Sequence, residues 1–557
     1  MGRMSHDGAA ATATNARSAG DPGNASTGKA GGLLLAAAIV AVGFLGSRIL
    51  GIVRTAVIAR VFGSGVQLDA YNVAFNVPDL IFQVLAGATL GSAFIPVFAR
   101  LYRRESDDRA WELASNVLNL VTVATAVLCL IAFIFAPVLV PLMAPGLVLK
   151  GKAIFLTRIM LLSPLLFSVS GMITGILNGR QHFLLPAIAP IAYNLAIIFG
   201  AVVLAGPFGI EGLAIGVVAG AGLHLCVQLP GLLHERMKYH FTFDWRDSAV
   251  REVGRLMGPR VVGLAAGQFN FLVSDIFASK VGAGAIANLG FAWTIATLPM
   301  ALFGMALSTA AFPRLAEHVA DEDLAGLHVT VSRVLRAIMF LTIPAALGLA
   351  MLREPATVVL LQGGHFSAAS SAVTAAALGF YCIGIVPQAG IEIHSRGFYA
   401  AGDTRTPVTL AVIAVVFNFL LSAAAWSRFG VNGLAFSVSL SSWLEWSMLY
   451  AFYIRRFNAA VAPDLWAIAR ITFCAGVMVL VLAIGFAPFY KIGRLASLEI
   501  AFAGTTAGLA VYAGMAHWLG ISELNEAVSR VLGIIRRGNG SGTAEAASAL
   551  AAQDPRA

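Results

Sequence analysis

Residues 208–214 read Phe-Gly-Ile-Glu-Gly-Leu-Ala, and residues 429–435 read Phe-Gly-Val-Asn-Gly-Leu-Ala. Each copy follows a helix-opening proline, Pro186 or Pro407, by the same 22 positions. A looser echo, displaced by about 220 residues, pairs Phe94-Ile95-Pro96 with Ala311-Phe312-Pro313. Chance aligns one short glycine loop readily. It less easily aligns the upstream proline as well, so the chain reads as an internal duplication.

The sequence around the two copies says what is duplicated. Of 557 residues, 58% are hydrophobic and 12% charged, against roughly half and a quarter in ordinary globular proteins. A mean hydropathy of +0.82 is spread along the whole length. That excludes a soluble enzyme with one anchor, a disordered protein and a nucleic-acid binder. A bilayer core of about 30 Å takes roughly 20 apolar residues per helix. On that ruler about fourteen spans fit, near 33–62, 70–99, 112–143, 153–177, 185–206, 211–233, 254–281, 284–313, 329–352, 370–394, 405–427, 432–454, 465–488 and 495–519. Six spans separate equivalent helices, so the two copies share one topology. Their expected relation is an axis along the membrane normal, as in transporters that rock two halves about a central site.

Charge supplies the orientation. The excess of 37 Lys and Arg over 28 Asp and Glu gathers in alternate loops: Arg100, Arg103, Arg104 and Arg109; Arg180; Arg236, Lys238, Arg246, Arg251 and Arg255; Arg396 and Arg405; Arg455 and Arg456; Arg530, Arg536 and Arg537. The intervening loops hold mainly Lys150, Lys152, Arg353, Arg428, Lys491 and Arg494. By the positive-inside rule both termini are expected in the cytoplasm. The ends, 1–32 and 538–557, are Gly, Ala, Ser and Thr-rich and read as disordered tails, and neither resembles a cleaved signal peptide. Cys129, Cys226, Cys382 and Cys474 lie in apolar runs without paired spacing, so they read as core residues rather than a disulfide or zinc framework.

Charges inside spans cost about 2.5–3.5 kcal/mol each on insertion scales and need a partner, a wet cavity or a route to the headgroups. The first span carries Arg48, Arg54 and, later, Arg60. Arg48 lies roughly 22 Å from the helix start, too deep for easy snorkelling, whereas Arg54 and Arg60 can also be read as snorkelling to the far interface. Arg48 and Arg54 are about 120° apart around a helix, and Gly51 between them permits a bend. Planar guanidinium groups facing a cavity suit phosphate oxygens. The seventh span is punctuated by Arg260, Gln268, Asn270, Asp275 and Lys280. Asp275 reads either as a cavity or coupling charge or as the partner of Lys280, while Lys280 and Arg260 sit near opposite ends and suit snorkelling. Asp69 reads as a helix cap or a ligand, and Asp79, after Pro78, is deeper. Glu392 and Arg396 are four apart and can pair along their helix. Glu445 can face the lobe interior, and Glu499 and Arg494 suit the interface. No H-E-x-x-H, G-x-S-x-G, Walker loop or D-D-x-x-D motif is present, so the chain is not expected to be an enzyme. Without a nucleotide site, work has to come from an ion gradient, the membrane potential or the substrate gradient.

Several motifs in one order, across about 35–520, resemble the MurJ-type (MviN) lipid II flippases of the multidrug/oligosaccharidyl-lipid/polysaccharide exporter superfamily. They are Ser47-Arg48-Ile49-Leu50-Gly51-Ile52-Val53-Arg54, Ala59-Arg60-Val61-Phe62-Gly63, Asp69-Ala70-Tyr71, Ala93-Phe94-Ile95-Pro96-Val97-Phe98, Ala144-Pro145-Gly146, Ile176-Leu177-Asn178 with Pro186 and Pro190, Gln228-Leu229-Pro230, Phe277-Ala278-Ser279, and Gly397-Phe398-Tyr399-Ala400 running into Asp403-Thr404-Arg405-Thr406-Pro407. The resemblance implies an all-α integral membrane fold of about fourteen transmembrane helices: two pseudo-symmetric six-helix lobes around a central cavity, 33–235 and 254–457, a linker 236–253, and a C-terminal helix pair, 464–520. It implies export of the undecaprenyl-diphosphate-linked peptidoglycan precursor by alternating access, with Arg48 and Arg54 on the diphosphate. The chain departs from well-known members at Thr55, where they carry an acid, and at Phe82, Gly87, Thr294 and Thr297, where some carry further charges.

The combined expectation is a lipid II flippase of a bacterial inner membrane. Arg48, Arg54, Asp69 and Asp79 are expected at the substrate, and Asp275, Lys280, Glu392 and Arg396 as cavity or coupling charges. No cofactor, metal or nucleic acid is expected; the coupling ion and any protein partners stay open. The alternatives are an exporter of another polyprenyl-linked oligosaccharide or of a drug, the latter favouring an acidic cavity, and a non-transporting scaffold for envelope partners.

Overall fold

The structure, a computed structural model, describes residues 43, 45–87, 93–235, 237–457, 462–486 and 494–525, without the side chains of 258–260, 262–266 and 462–464. The expected tails lie outside the described residues, as do Arg236, Lys491, Arg530, Arg536, Arg537 and the side chain of Arg260.

The first lobe comprises α1 (45–62), α2 (Val66–Phe82), α3 (Ile95–Arg104), α4 (Asp107–Met143), α5 (Lys150–Met160), α6 (Leu162–Gly179), α7 (Leu184–Phe199), α8 (Ala205–Phe208) and α9 (Ile210–His234). The second comprises α10 (Ser248–Val281), α11 (Ala285–Pro299), α12 (Ala306–Ala320), α13 (Leu324–Met351), α14 (Arg353–Leu360), α15 (Ala368–Ala400) and α16 (Arg405–Phe457), followed by α17 (Ala462–Gly485) and α18 (Arg494–Trp518). Local chemistry sets the starts. Ser106 accepts from the N–H of Arg109 to cap α4, with Asp107 and Asp108 in the first turn, where the helix dipole favours anions. Asp107 and Asp108, adjacent acids in an otherwise basic stretch, are therefore the opening turn of a helix. Asp247 caps α10 through the N–H groups of Ala249 and Val250, so that helix starts six residues before the apolar run that announces it at 254.

Among the described residues, ten helices are long and apolar enough to cross a membrane. The 17-residue α2 and the charge-bearing α10 are not among them. At 53 residues α16 would run about 80 Å if straight, far beyond a bilayer core. It is two spans: Gly430 breaks it with φ 55° and ψ −136°, a conformation open essentially to glycine.

The duplication is visible in these irregularities. Gly209 holds φ 60° and ψ −137°, nearly the dihedrals of Gly430, at the repeated Phe-Gly positions. A π-helical turn interrupts the second span at Gln83–Gly87, and another interrupts the corresponding span of the second lobe at Met300–Met305. The largest apolar core crosses between lobes, joining Leu68, Tyr71 and Leu213 to Phe277, Ile286 and Tyr381. A second core packs α17 and α18 onto the second lobe through Ile338, Leu449, Cys474, Met478 and Tyr512; the Tyr512 hydroxyl donates to the Phe340 carbonyl at 2.7 Å. Cys129, Cys382 and Cys474 are buried, as core residues should be, but Cys226 is exposed because α9 turns that position outward.

Candidate functional site

A cavity of about 620 Å³ lies between the lobes. Arg54 and Thr55 reach it from α1, Asn72, Asn76 and Asp79 from α2, and Gln83 from the π-helical turn that follows. Tyr193 of α7, then Gln268, Asn270, Ser274 and Asp275 of α10, Trp293 and Thr294 of α11 and Tyr381 of α15 complete the wall. Asn72, Asn76, Asp79 and Gln83 are spaced four, three and four apart, which stacks them on one helical face. From Asn72 onward the stripe is polar on an otherwise apolar helix.

Both cavity carboxylates are tied by amides, and across the lobes. Asn76 donates to Asp275 at 2.5 Å, while Asp79 accepts from Gln83 at 2.7 Å and from Gln268 at 3.3 Å. Asp275 therefore meets Asn76 rather than the Lys280 of its own helix. Lys280 is exposed and sits over the rings of Phe277 and Trp426, 5.3 and 5.8 Å from their centroids. Arg54 is half-buried in the wall, and no carboxylate lies within ion-pair distance of it among the described residues. It is the cation of the lining.

Not every expected residue joins this wall. Arg48, six positions before Arg54, is exposed and lies outside the lining, as the roughly 120° between them allows. Asp69 lies outside the lining and does not cap its own helix. It is buried, and its two carboxylate oxygens accept the N–H groups of Gly284 at 2.6 Å and Ala287 at 2.9 Å, so it caps α11 of the other lobe. Glu392 and Arg396 pair at 3.4 Å along α15, away from the lining. Phe82, Gly87 and Thr297 also lie outside it, whereas Thr55 and Thr294 are in it.

The Asp69 contact belongs to a set that latches one end of the lobes. Arg60 donates to the carbonyls of Val359 at 3.1 Å and Leu360 at 3.2 Å, and its own carbonyl accepts the N–H of His365 at 2.8 Å. This replaces the snorkelling read for Arg60. The Gly146 N–H donates to Ser279 Oγ at 3.1 Å, and a Cβ on Gly146 would collide with the Ser279 backbone. Ala144-Pro145-Gly146 and Phe277-Ala278-Ser279 thus meet in space.

Sequence reasoning found Arg54, Asp79, Asp275, Gln268 and Asn270 because each interrupts an apolar run. It missed Asn72, Asn76 and Gln83. Their helical period with Asp79 was the available signal.

A family sequence pattern described as Lipid II flippase MurJ matches residues 58–500. A protein of Burkholderia cenocepacia named Lipid II flippase MurJ is 31% identical over 414 residues, covering 72% of this chain and 80% of that protein. A probable lipid II flippase MurJ of Rhizobium meliloti is 26% identical and covers 90% of this chain and 96% of its own length. Among solved structures, a lipid II flippase MurJ in an inward closed conformation superposes with a TM-score of 0.73 at 23% identity, covering 86% of this chain and 99% of that one. An inward-facing multidrug resistance MATE family transporter superposes with a TM-score of 0.60 at 16% identity, covering 74% and 94%. These structural likenesses concern the fold.

Proposed function

The chain belongs to the lipid II flippase MurJ family, and on that premise we propose that it moves lipid II, the undecaprenyl-diphosphate-linked peptidoglycan precursor, across the bacterial inner membrane by alternating access. The observation that carries the chemistry is Arg54: a guanidinium in the wall of an inter-lobe cavity with no carboxylate partner among the described residues. A diphosphate supplies the missing partner, and charge-assisted, bidentate hydrogen bonds to phosphate oxygens suit a guanidinium. Thr55, Asn72, Tyr193 and Thr294 offer neutral polar groups around it. Arg48, exposed on the same helix, is assigned to the approach rather than the seat.

The carboxylates have a different part. Asp275 and Asp79 are held by Asn76 and Gln268 of the opposite lobe, so the two contacts are ties that must part when the lobes rock. Drug-sized ligands fill about 300–1,000 Å³, and a disaccharide-peptide headgroup is larger; the 620 Å³ cavity has to widen to admit it. Breaking amide–carboxylate ties is the local event that widening demands. The Lys and Arg asymmetry supports termini and the 235–247 linker on the cytoplasmic side.

The test is translocation of fluorescent lipid II by the purified protein in proteoliposomes, read by chemical quenching of outward-facing label, with and without an imposed membrane potential. The reading expects quenching to pass the half that belongs to one leaflet. Quenching that halts at that half under both conditions, with folded protein, overturns it. Equal movement of a polyprenyl-linked sugar lacking the diphosphate would contradict the role given to Arg54.

A further inference from the structure

We propose that the linker joining the lobes is an interfacial anchor whose partner is the phospholipid headgroup layer, into which it seats four exposed aromatic side chains. Residues 237–244 run without helix or strand between α9 and the turn at 245–246 before α10, folded by two tight turns in which the Thr242 N–H donates to the His240 carbonyl at 2.9 Å and the Trp245 N–H to the Phe243 carbonyl at 3.0 Å. Tyr239, Phe241, Phe243 and Trp245 are 52%, 78%, 42% and 66% exposed. The alternate residues His240 and Thr242 face the protein and are partly buried. In water this alternation should be reversed, with the rings inward. A segment that turns His240 and Thr242 to the protein and four aromatic rings outward is matched to a partly apolar medium.

The backbone is fixed in that attitude. Asn116 donates to the Asp244 carbonyl at 2.8 Å, Asn119 to the Thr242 carbonyl at 2.9 Å, and the His240 N–H to Ser115 Oγ at 3.1 Å. Tyr239 donates its hydroxyl to Asn119 Oδ1 at 2.7 Å. These polar contacts fall on α4 at Ser115, Asn116 and Asn119, which sets a depth. From Met143, at the other end of α4, Asn119 is about 36 Å away and Ser115 about 42 Å at 1.5 Å per residue. A hydrocarbon core of about 30 Å and a full thickness of about 40–45 Å place that level in the headgroup layer. The apolar α9, 25 residues long, delivers the chain to the same level. Tyr and Trp are the residues favoured there. Exposed Arg246 and Arg251 lie beside them, Arg246 over the Trp245 ring at 5.2 Å, and complement lipid phosphates. The inference concerns depth and needs only a membrane-spanning chain; it stands apart from the choice of lipid II as cargo and from the side on which the linker lies.

The test uses the full chain with Cys226→Ser, since the other three cysteines are buried. Single cysteines are placed by Phe241→Cys, by Trp245→Cys as an independent site, and by Glu105→Cys as the water control, Glu105 being exposed at the end of α3. Each is labelled with a nitrobenzoxadiazole dye in phosphatidylcholine–phosphatidylglycerol proteoliposomes. Quenching by lipid carrying a doxyl group near the headgroup is compared with quenching by aqueous iodide. The ratio of lipid to iodide quenching should be at least about threefold higher at 241 and 245 than at 105, as for side chains in the aromatic belt. Iodide quenching at 241 and 245 equal to that at 105, without doxyl quenching, overturns the proposal. A site whose labelled protein does not melt cooperatively is read from the other.

Discussion

Asp69 shows most plainly what a single residue does here. It was legible as a charge at the head of a span, but its partners are the N–H groups of Gly284 and Ala287, more than two hundred positions away, and no local pattern announces them. Because it satisfies two helix-end donors of the opposite lobe, Asp69→Ala should cost about 1–2 kcal/mol, at the upper end for a lost cap. The melting midpoint of the purified protein should fall, and Asp69→Asn, which keeps one acceptor oxygen, should fall less. An unchanged midpoint in Asp69→Ala would remove the latch role. Asp79 and Asp275 stood out because a carboxylate in an apolar run is expensive. Of the amides that hold them across the lobes, Gln268 also interrupts an apolar run and stood out, whereas Asn76 is neutral and passed unnoticed. Replacing Asn76 by Ala leaves Asp275 without its 2.5 Å donor, and should loosen the cross-lobe tie. Spin labels on the two lobes should then report a broader inter-lobe distance distribution than in the wild type, with an unaltered distribution counting against the tie.

At the scale of elements, the repeat makes a matched prediction. Gly209 and Gly430 hold the same glycine-only dihedrals, and a Cβ would meet only ordinary contacts, at 3.6 Å from Glu211 and 3.5 Å from Val281. The penalty for Gly→Ala is thus backbone strain of about 1–3 kcal/mol, and it should be similar at both sites when read by thermal melting. A penalty at one site alone would mean that the two turns are not equivalent. The linker has its own pH signature. The Lys238 ammonium holds Asp108 below the usual carboxylate range, and the Arg100 guanidinium does the same for Glu252. Burial pushes Asp247 up, but the Arg109 guanidinium and the N–H groups of Val250 and Ala249 together bring it below the ordinary value. A carboxylate lowered in the folded state stabilises at pH above its unfolded value and loses that contribution as pH falls through the lowered one. Hydrogen exchange in 237–247, corrected for its intrinsic rate, should stay level from neutral pH to about 5 and rise only below about 4. Loosening near pH 6 would show that other groups hold the linker. The caps were legible as Ser106 and Asp247 before their helices. The docking of the linker on α4 was not, because asparagine–carbonyl contacts leave no periodic trace.

For the molecule as a whole, hydropathy and one repeated loop were enough to read two equivalent lobes, and the resemblance added the C-terminal pair, since membrane spans must satisfy their backbones internally and therefore announce themselves by length and apolarity. Neither could say how the lobes meet. That depends on the latch of Arg60, Asp69 and Gly146, whose partners lie in the other half of the chain, and on the amide ties across the cavity. The same meeting of lobes leaves Arg54 in the wall and Arg48 outside it. The measurement closest to the central claim is lipid II translocation in proteoliposomes by Arg54→Ala beside Arg48→Ala and wild type, with melting and insertion checked in parallel. A guanidinium that seats a diphosphate in a partly buried cavity contributes a few kcal/mol, so Arg54→Ala should slow translocation at least about tenfold, with Arg54→Lys recovering part of the rate as a point charge without the fork. Arg48→Ala should slow it less. Wild-type translocation by folded Arg54→Ala would contradict the assignment of the diphosphate to this cavity.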